Sequence, residues 1–190
     1  MSNSKNNEKI VIGVVGLPGA GKSTALEVLK NIGKIVIMGD VVREEALKRN
    51  LPITGETLGK ISRELREKYG PGIIAEKCIE YINKIDDNII FIDGIRSMTE
   101  VRIFRKYWEF PIIAILCPDD LRYKRLLDRK REDDSISIGE IKLRDKRELE
   151  FGLKEVIDHS NYFINNNSDI ETLKLNILNI VKIIIREKKF

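Results

Sequence analysis

Five short apolar runs punctuate the chain, at residues 9–15, 34–38, 89–93, 112–117 and 162–164, and between them apolar positions recur at three- and four-residue intervals. Short continuous runs read as strands covered on both faces, whereas the longer spaced patterns read as helices with one apolar side. Their alternation predicts a three-layer α/β/α domain built on a five-stranded parallel sheet. A first helix is expected over residues 22–32, stopped by Gly33 as a left-handed C-cap. Ser97-Met98-Thr99-Glu100, Ser137-Ile138-Gly139-Glu140 and Ser168-Asp169-Ile170-Glu171 fit the S-x-x-E capping box and mark three later helix starts. Helical patterns at 58–69 and 73–83 flank the break Gly70-Pro71-Gly72. In the last helix Leu173, Ile177, Ile180, Val181 and Ile184 form one stripe, the pattern of a core-facing side.

Composition narrows the class. With 190 residues, 42% hydrophobic and 34% charged, the chain suits one globular domain over 1–190, with a polar tail at 1–8. A net charge of +4, partly owed to Arg186, Lys188 and Lys189, does not suggest a nucleic-acid partner. Cys78 and Cys117 are isolated, without metal-ligand spacing, and read as reduced core cysteines of a cytoplasmic protein. No membrane span or signal segment is expected. The expected partner is a small-molecule nucleotide substrate, and the expected state a monomer or small homo-oligomer. His159 and Trp108, each single in the chain, carry no further signal.

Directly after the first run stand Gly16, Leu17, Pro18, Gly19, Ala20, Gly21, Lys22, Ser23 and Thr24, the complete G-x-x-x-x-G-K-[ST] pattern. Its glycines let backbone N–H groups turn inward as a nest for phosphate oxygens, and the following helix adds the positive end of its dipole. All nine residues are expected to hold ATP. Lys22 reaches the β and γ phosphates and has a catalytic role, and the Ser23 hydroxyl ligates Mg²⁺.

Two more strand ends bear chemistry. Ile89-Ile90-Phe91-Ile92-Asp93 closes an apolar run with a carboxylate, which makes Asp93 the second candidate for the Mg²⁺ site. Arg96 follows at the end of the strand where ligands of open α/β sheets bind. Asp40 and Arg43 stand in the same way after the second run. Two guanidinium groups at neighbouring strand ends suit a second anion, while the plain alternative for Arg43 is a surface ion pair with Glu44 or Glu45. Asn83-Lys84-Ile85-Asp86 matches a guanine-reading motif in letters only, since it ends a helical pattern before the Asp93 strand; it reads as a helix end and a turn.

Gly39-Asp40-Val41-Val42-Arg43 and Asp93-Gly94-Ile95-Arg96 resemble the G-D-x-x-R and D-G-[FY]-P-R segments of adenylate kinases, with Ile95 where that family has proline. The resemblance covers about residues 10–105 and implies that Asp40, Arg43 and Arg96 hold the acceptor, within a helical acceptor-binding insertion at 40–84. Arg63 and Arg66 of that insertion are candidates for further contacts, with plain surface charge as the alternative. Asn161-Tyr162-Phe163-Ile164-Asn165-Asn166-Asn167-Ser168 is similar to the closing segment of dephospho-coenzyme A kinases. The whole chain most resembles an archaeal group of adenylate-kinase-like P-loop proteins.

Residues 119–150 hold ten basic and ten acidic side chains, a balance unlike the one-signed stripe that binds nucleic acid. Arg122, Arg125 and Arg129 share a helical face, and Arg125 and Arg129 are expected at the nucleotide. Arg131-Glu132-Asp133-Asp134 resembles the R-x-D-D of adenylate kinase lids, which implies Arg131, with Arg144 or Arg147, as catalytic arginines on a lid. The alternative for this segment is a solvated, charged hairpin. The expected function is ATP- and Mg²⁺-dependent transfer of the γ-phosphoryl group to a nucleoside monophosphate. The alternatives are transfer to a ribose hydroxyl, as in dephospho-coenzyme A kinases, with Asp40 as base, and a nucleotide-binding regulatory ATPase.

Overall fold

The computed structural model describes residues 9–129 and 137–188. Five strands, β1 (Ile10–Val15), β2 (Lys34–Ile37), β3 (Ile89–Asp93), β4 (Ile112–Leu116) and β5 (Tyr162–Asn165), form one sheet in the order β2-β3-β1-β4-β5. Every neighbouring pair is parallel, with Val14 opposite Asp93 and Ile37 opposite Asp93 on its other side. Side chains alternate along each strand, so the sheet feeds two cores. Val11, Val15, Ile90, Ile92, Ile112 and Ala114 face one, packed by α2 (Met38–Lys48), α3 (Gly55–Tyr69), α4 (Ile73–Ile82), α5 (Met98–Phe104) and α8 (Lys154–Asp158). Ile12, Val14, Phe91, Ile113 and Ile115 face the other, covered by α1 (Lys22–Leu29) and α9 (Ile170–Glu187). The stripe Leu173, Ile177, Val181 and Ile184 is buried as expected.

The remaining helices, α6 (Asp119–Arg129) and α7 (Ile138–Glu148), leave the sheet after β4 and return through a π-helical turn at Leu149–Leu153. Within that turn Gly152 takes φ 106°, which breaks the helix direction. No described helix is long and apolar enough to cross a membrane.

Several local expectations are corrected. The first helix ends at Leu29, and Gly33 is no left-handed cap: a Cβ there would lie 2.3 Å from the Ile89 carbonyl oxygen, so the small residue serves close approach to β3. Ser97 and Ser137 do cap their helices by accepting from the Glu100 and Glu140 amides. The third cap is Asp169, not Ser168; its carboxylate accepts from the Thr172 N–H and hydroxyl, a stronger partner for the helix dipole than a serine hydroxyl. Met38 begins α2 rather than ending β2, because the chain turns into the helix with Ile37 extended as N-cap.

Candidate functional site

The nine-residue motif, its loop at residues 16–21 and the first turn of α1, lies over the C-terminal edge of the sheet. Gly16, Gly19 and Gly21 take φ of 153°, 79° and 109°. At Gly21 a Cβ would sit 2.4 Å from Asn166 Nδ2 and 2.9 Å from Leu173 Cδ2, so glycine is demanded by crowding as well as by backbone angle. Asn166, itself buried, fixes the loop by donating from Nδ2 to the Ala20 carbonyl oxygen at 2.8 Å. Arg122 holds it from the other side, its Nη1 donating to the Pro18 carbonyl oxygen at 2.7 Å. Neither residue stood among the nucleotide candidates. The Asn161–Ser168 segment, notable in sequence only for its resemblance, contains Asn166 but gives it no role, and nothing local to Arg122 reveals a contact 104 residues away.

Lys22 folds back over the loop, with Nζ 2.5 Å from the Gly16 carbonyl oxygen. Burial lowers its pKa, opposed by the charges of Asp93 and Glu148 and aided by those of Arg144 and Arg96. Asp93 is the mirror case: burial raises its pKa, and Lys22, the Gly94 N–H and Arg96 pull it back. One oxygen of this carboxylate, Oδ1, is buried without a hydrogen-bond partner among the described residues. An orphaned carboxylate oxygen at the end of a central strand is the donor a hard cation requires. Among the described residues no three His, Cys, Asp or Glu side chains gather to hold a metal ion. A cation here would therefore complete its shell with phosphate and water oxygens, the habit of Mg²⁺. Ser23, exposed in the first turn of α1, is available to it.

The second anion site is less uniform. Arg96 is 44% exposed, and its backbone N–H donates to Glu100 Oε2 at 2.8 Å. The same buried Glu100 accepts from Arg66 Nη2 at 2.9 Å, so Arg66 braces the Arg96 loop and is committed to that task. Arg43 pairs with Asp40 one turn earlier, not with Glu44 or Glu45, and both side chains are about half exposed. Arg63 is exposed on α3.

From the α6–α7 arm, Arg144 and Glu148 approach the Lys22 end of the site closely enough for their charges to be felt there. Glu148 Oε1 lies 3.2 Å from Arg96 Nη2. Arg125 reaches Cys117 Sγ at 3.3 Å and the Asn166 carbonyl oxygen at 3.4 Å, beside the loop. Arg122, read as sharing a helical face with Arg125 and Arg129, is 1% exposed and clamped between Asp119 and Asp145, the latter at 2.6 Å. Arg147 stays on the surface, its Nε donating to the Leu143 carbonyl oxygen. Arg129 belongs to α6, with its side chain outside the described residues, as is Arg131. The structure thus brings Lys22, Asp93, Arg96 and Arg144 within one electrostatic neighbourhood and adds Glu148 to it.

A family model described as an AAA domain matches residues 12–151. A UPF0200/UPF0201 protein of Archaeoglobus fulgidus is 46% identical over 169 residues, covering 86% of this chain and 52% of that protein, so the chain spans about half the length of this relative. A UPF0200 protein of Methanothermobacter thermautotrophicus is 43% identical over 167 residues, 87% of this chain and 85% of its own length. Among solved structures, TT1252 from Thermus thermophilus matches with TM-score 0.60 and 20% identity, covering 92% of this chain and 97% of that one. Shikimate kinase from Acinetobacter baumannii, in complex with shikimate, matches with TM-score 0.56 and 12% identity over 98% of each chain. At these identities the structural likeness shows a shared fold, the five-stranded α/β architecture of P-loop kinases.

Proposed function

The chain belongs to the UPF0200 family, within the AAA-domain P-loop group, and from that premise we propose that it is an ATP- and Mg²⁺-dependent phosphotransferase acting on a small phosphate-bearing acceptor, a nucleoside monophosphate first. The observation that carries the reading is the orphaned Asp93 Oδ1 beside Lys22, with Arg96 three residues further along the loop. Lys22 and the loop amides hold the donor phosphates, Ser23 and Asp93 hold the cation, and Arg43 and Arg96 hold the acceptor. Mg²⁺, when bound, neutralises charge on the phosphates. Arg144, with Arg131, meets the charge that spreads over the transferred group, and the α6–α7 arm excludes water as a lid. Such catalysis is positioning plus electrostatics, and a phosphate acceptor needs no base.

One observation favours a second reading. Asp40 is half exposed beside Arg43 at the proposed acceptor site, where a carboxylate could take the proton of a hydroxyl acceptor. The test is a panel of ATP and Mg²⁺ with each nucleoside monophosphate and with dephospho-coenzyme A, read as ADP formed. Release of ADP that depends on a monophosphate is expected. ATP hydrolysis indifferent to every acceptor would leave a regulatory ATPase in place of a kinase.

A further inference from the structure

Glu148 has no part in the donor or metal assignments, yet it sits among them. It is the last residue of α7, 18% exposed, with Oε1 3.2 Å from Arg96 Nη2, and its charge reaches Lys22 and Asp93. Its position is held from both sides. One turn before it, Asp145 is locked to the buried Arg122. Four residues after it, Gly152 brings the π-helical turn against the Arg96 loop: a Cβ on Gly152 would lie 3.4 Å from the Arg96 carbonyl oxygen. Leu153 then anchors the chain in the core.

Arg96 presents the complementary picture. Its backbone is tied to buried Glu100, while its side chain is 44% exposed and, among the described residues, meets Glu148 through one ion-pair contact. A guanidinium with one carboxylate contact has donors left for a better anion. A phosphate dianion carries more charge than a carboxylate and offers three oxygens for bidentate pairing.

We propose that Glu148 is an internal competitor at the acceptor site: its carboxylate takes the place on Arg96 that the acceptor's phosphate takes, so that an acceptor enters only with an anionic group able to displace it. This rests on the reading of Arg96 as an acceptor-phosphate ligand. It names the acceptor class as a phosphate monoester, since a neutral hydroxyl compound gains nothing from Arg96 that could offset the lost ion pair. It also couples acceptor entry to the arm, because the displaced carboxylate ends α7.

A merely structural ion pair makes the opposite prediction. If Glu148 only oriented Arg96, its loss would weaken anion binding. The experiment uses the full chain saturated with Mg²⁺ and a non-hydrolysable ATP analogue, whose three phosphates fill the donor positions, so that added inorganic phosphate is directed to the acceptor side. Modification of Arg96 by phenylglyoxal is followed by peptide mass spectrometry, with and without phosphate, in the parent protein and in Glu148→Gln. The isosteric variant should show the parent melting temperature and protect Arg96 at phosphate concentrations about three- to tenfold lower. Protection at an equal or higher concentration in Glu148→Gln overturns the competitor role. Absence of protection in both proteins would instead remove Arg96 from the acceptor site, and the competitor role with it.

Discussion

At the scale of single residues, burial and charge are set against each other in the centre of the molecule. Lys22 and Asp93 each lie where burial disfavours the ionised form, and each is drawn back by the other. Such a pair contributes little to folding, since desolvation consumes most of the attraction. Lys22→Ala should therefore keep the fold, seen as an unchanged far-ultraviolet spectrum, while phosphoryl transfer falls by about 10³-fold or more. At Cys78 burial leads, and the negative charges of Glu100, Asp40 and Glu44 push the same way. This cysteine is fully buried in α4, and its thiol is pushed from an ordinary 9.0 up to about 12. A raised folded-state pKa means that stability is intact below pH 9.0 and is lost as pH climbs toward 12, because the unfolded chain ionises first. Cys78→Ala lacks this dependence. Urea unfolding should find the variant less stable at pH 8, with the gap to the parent narrowing by about 1–2 kcal/mol between pH 9 and 10.5.

At the scale of elements, the outcome depended on whether the signal was local. The strands, the phosphate loop and the Ser97 and Ser137 caps are each written in a few adjacent residues, and all were legible. Gly33 looked like a cap because its real reason, the Ile89 backbone across the sheet, is remote in sequence. Arg122 was read only as sharing a helical face with Arg125 and Arg129, and its clamp was missed for the same reason. Its partner Asp145 comes 23 residues later, on α7, and the Pro18 carbonyl oxygen 104 residues earlier. Its clamp ties α6, α7 and the phosphate loop into one unit. Asp145→Ala leaves a buried guanidinium with the exposed Asp119, the Pro18 carbonyl oxygen and the Tyr123 ring, none of which replaces the buried carboxylate, and should cost about 3 kcal/mol in thermal or urea unfolding. Combining it with Arg122→Met should recover much of that loss, because an apolar pair removes the uncompensated charge. A double variant no more stable than Asp145→Ala would mean the clamp does not act as a charge pair.

At the scale of the whole molecule, the sheet order places β1 at the centre and β3 beside it, so the donor loop and the Asp93–Arg96 loop leave adjacent strands at the same edge. β2, the next strand out, delivers Asp40 and Arg43 to that edge as well. The proposed donor and acceptor halves are thus neighbours by topology, whereas any base and sugar selectivity of the proposed acceptor side would rest on residues distant in sequence, which no short motif encodes. Asp40 separates the two acceptor chemistries. Its carboxylate is paired to Arg43 and half exposed, so replacing it with Asn keeps size while removing the charge that holds Arg43 and any capacity to accept a proton. With a nucleoside monophosphate, whose phosphate is already a nucleophile, Asp40→Asn should change kcat by less than about threefold, and freeing Arg43 should lower the acceptor KM. With a hydroxyl acceptor such as dephospho-coenzyme A, loss of the base should lower kcat by about 10²-fold or more. A large kcat loss with the monophosphate would give Asp40 a role in the transition state that a phosphate nucleophile does not require.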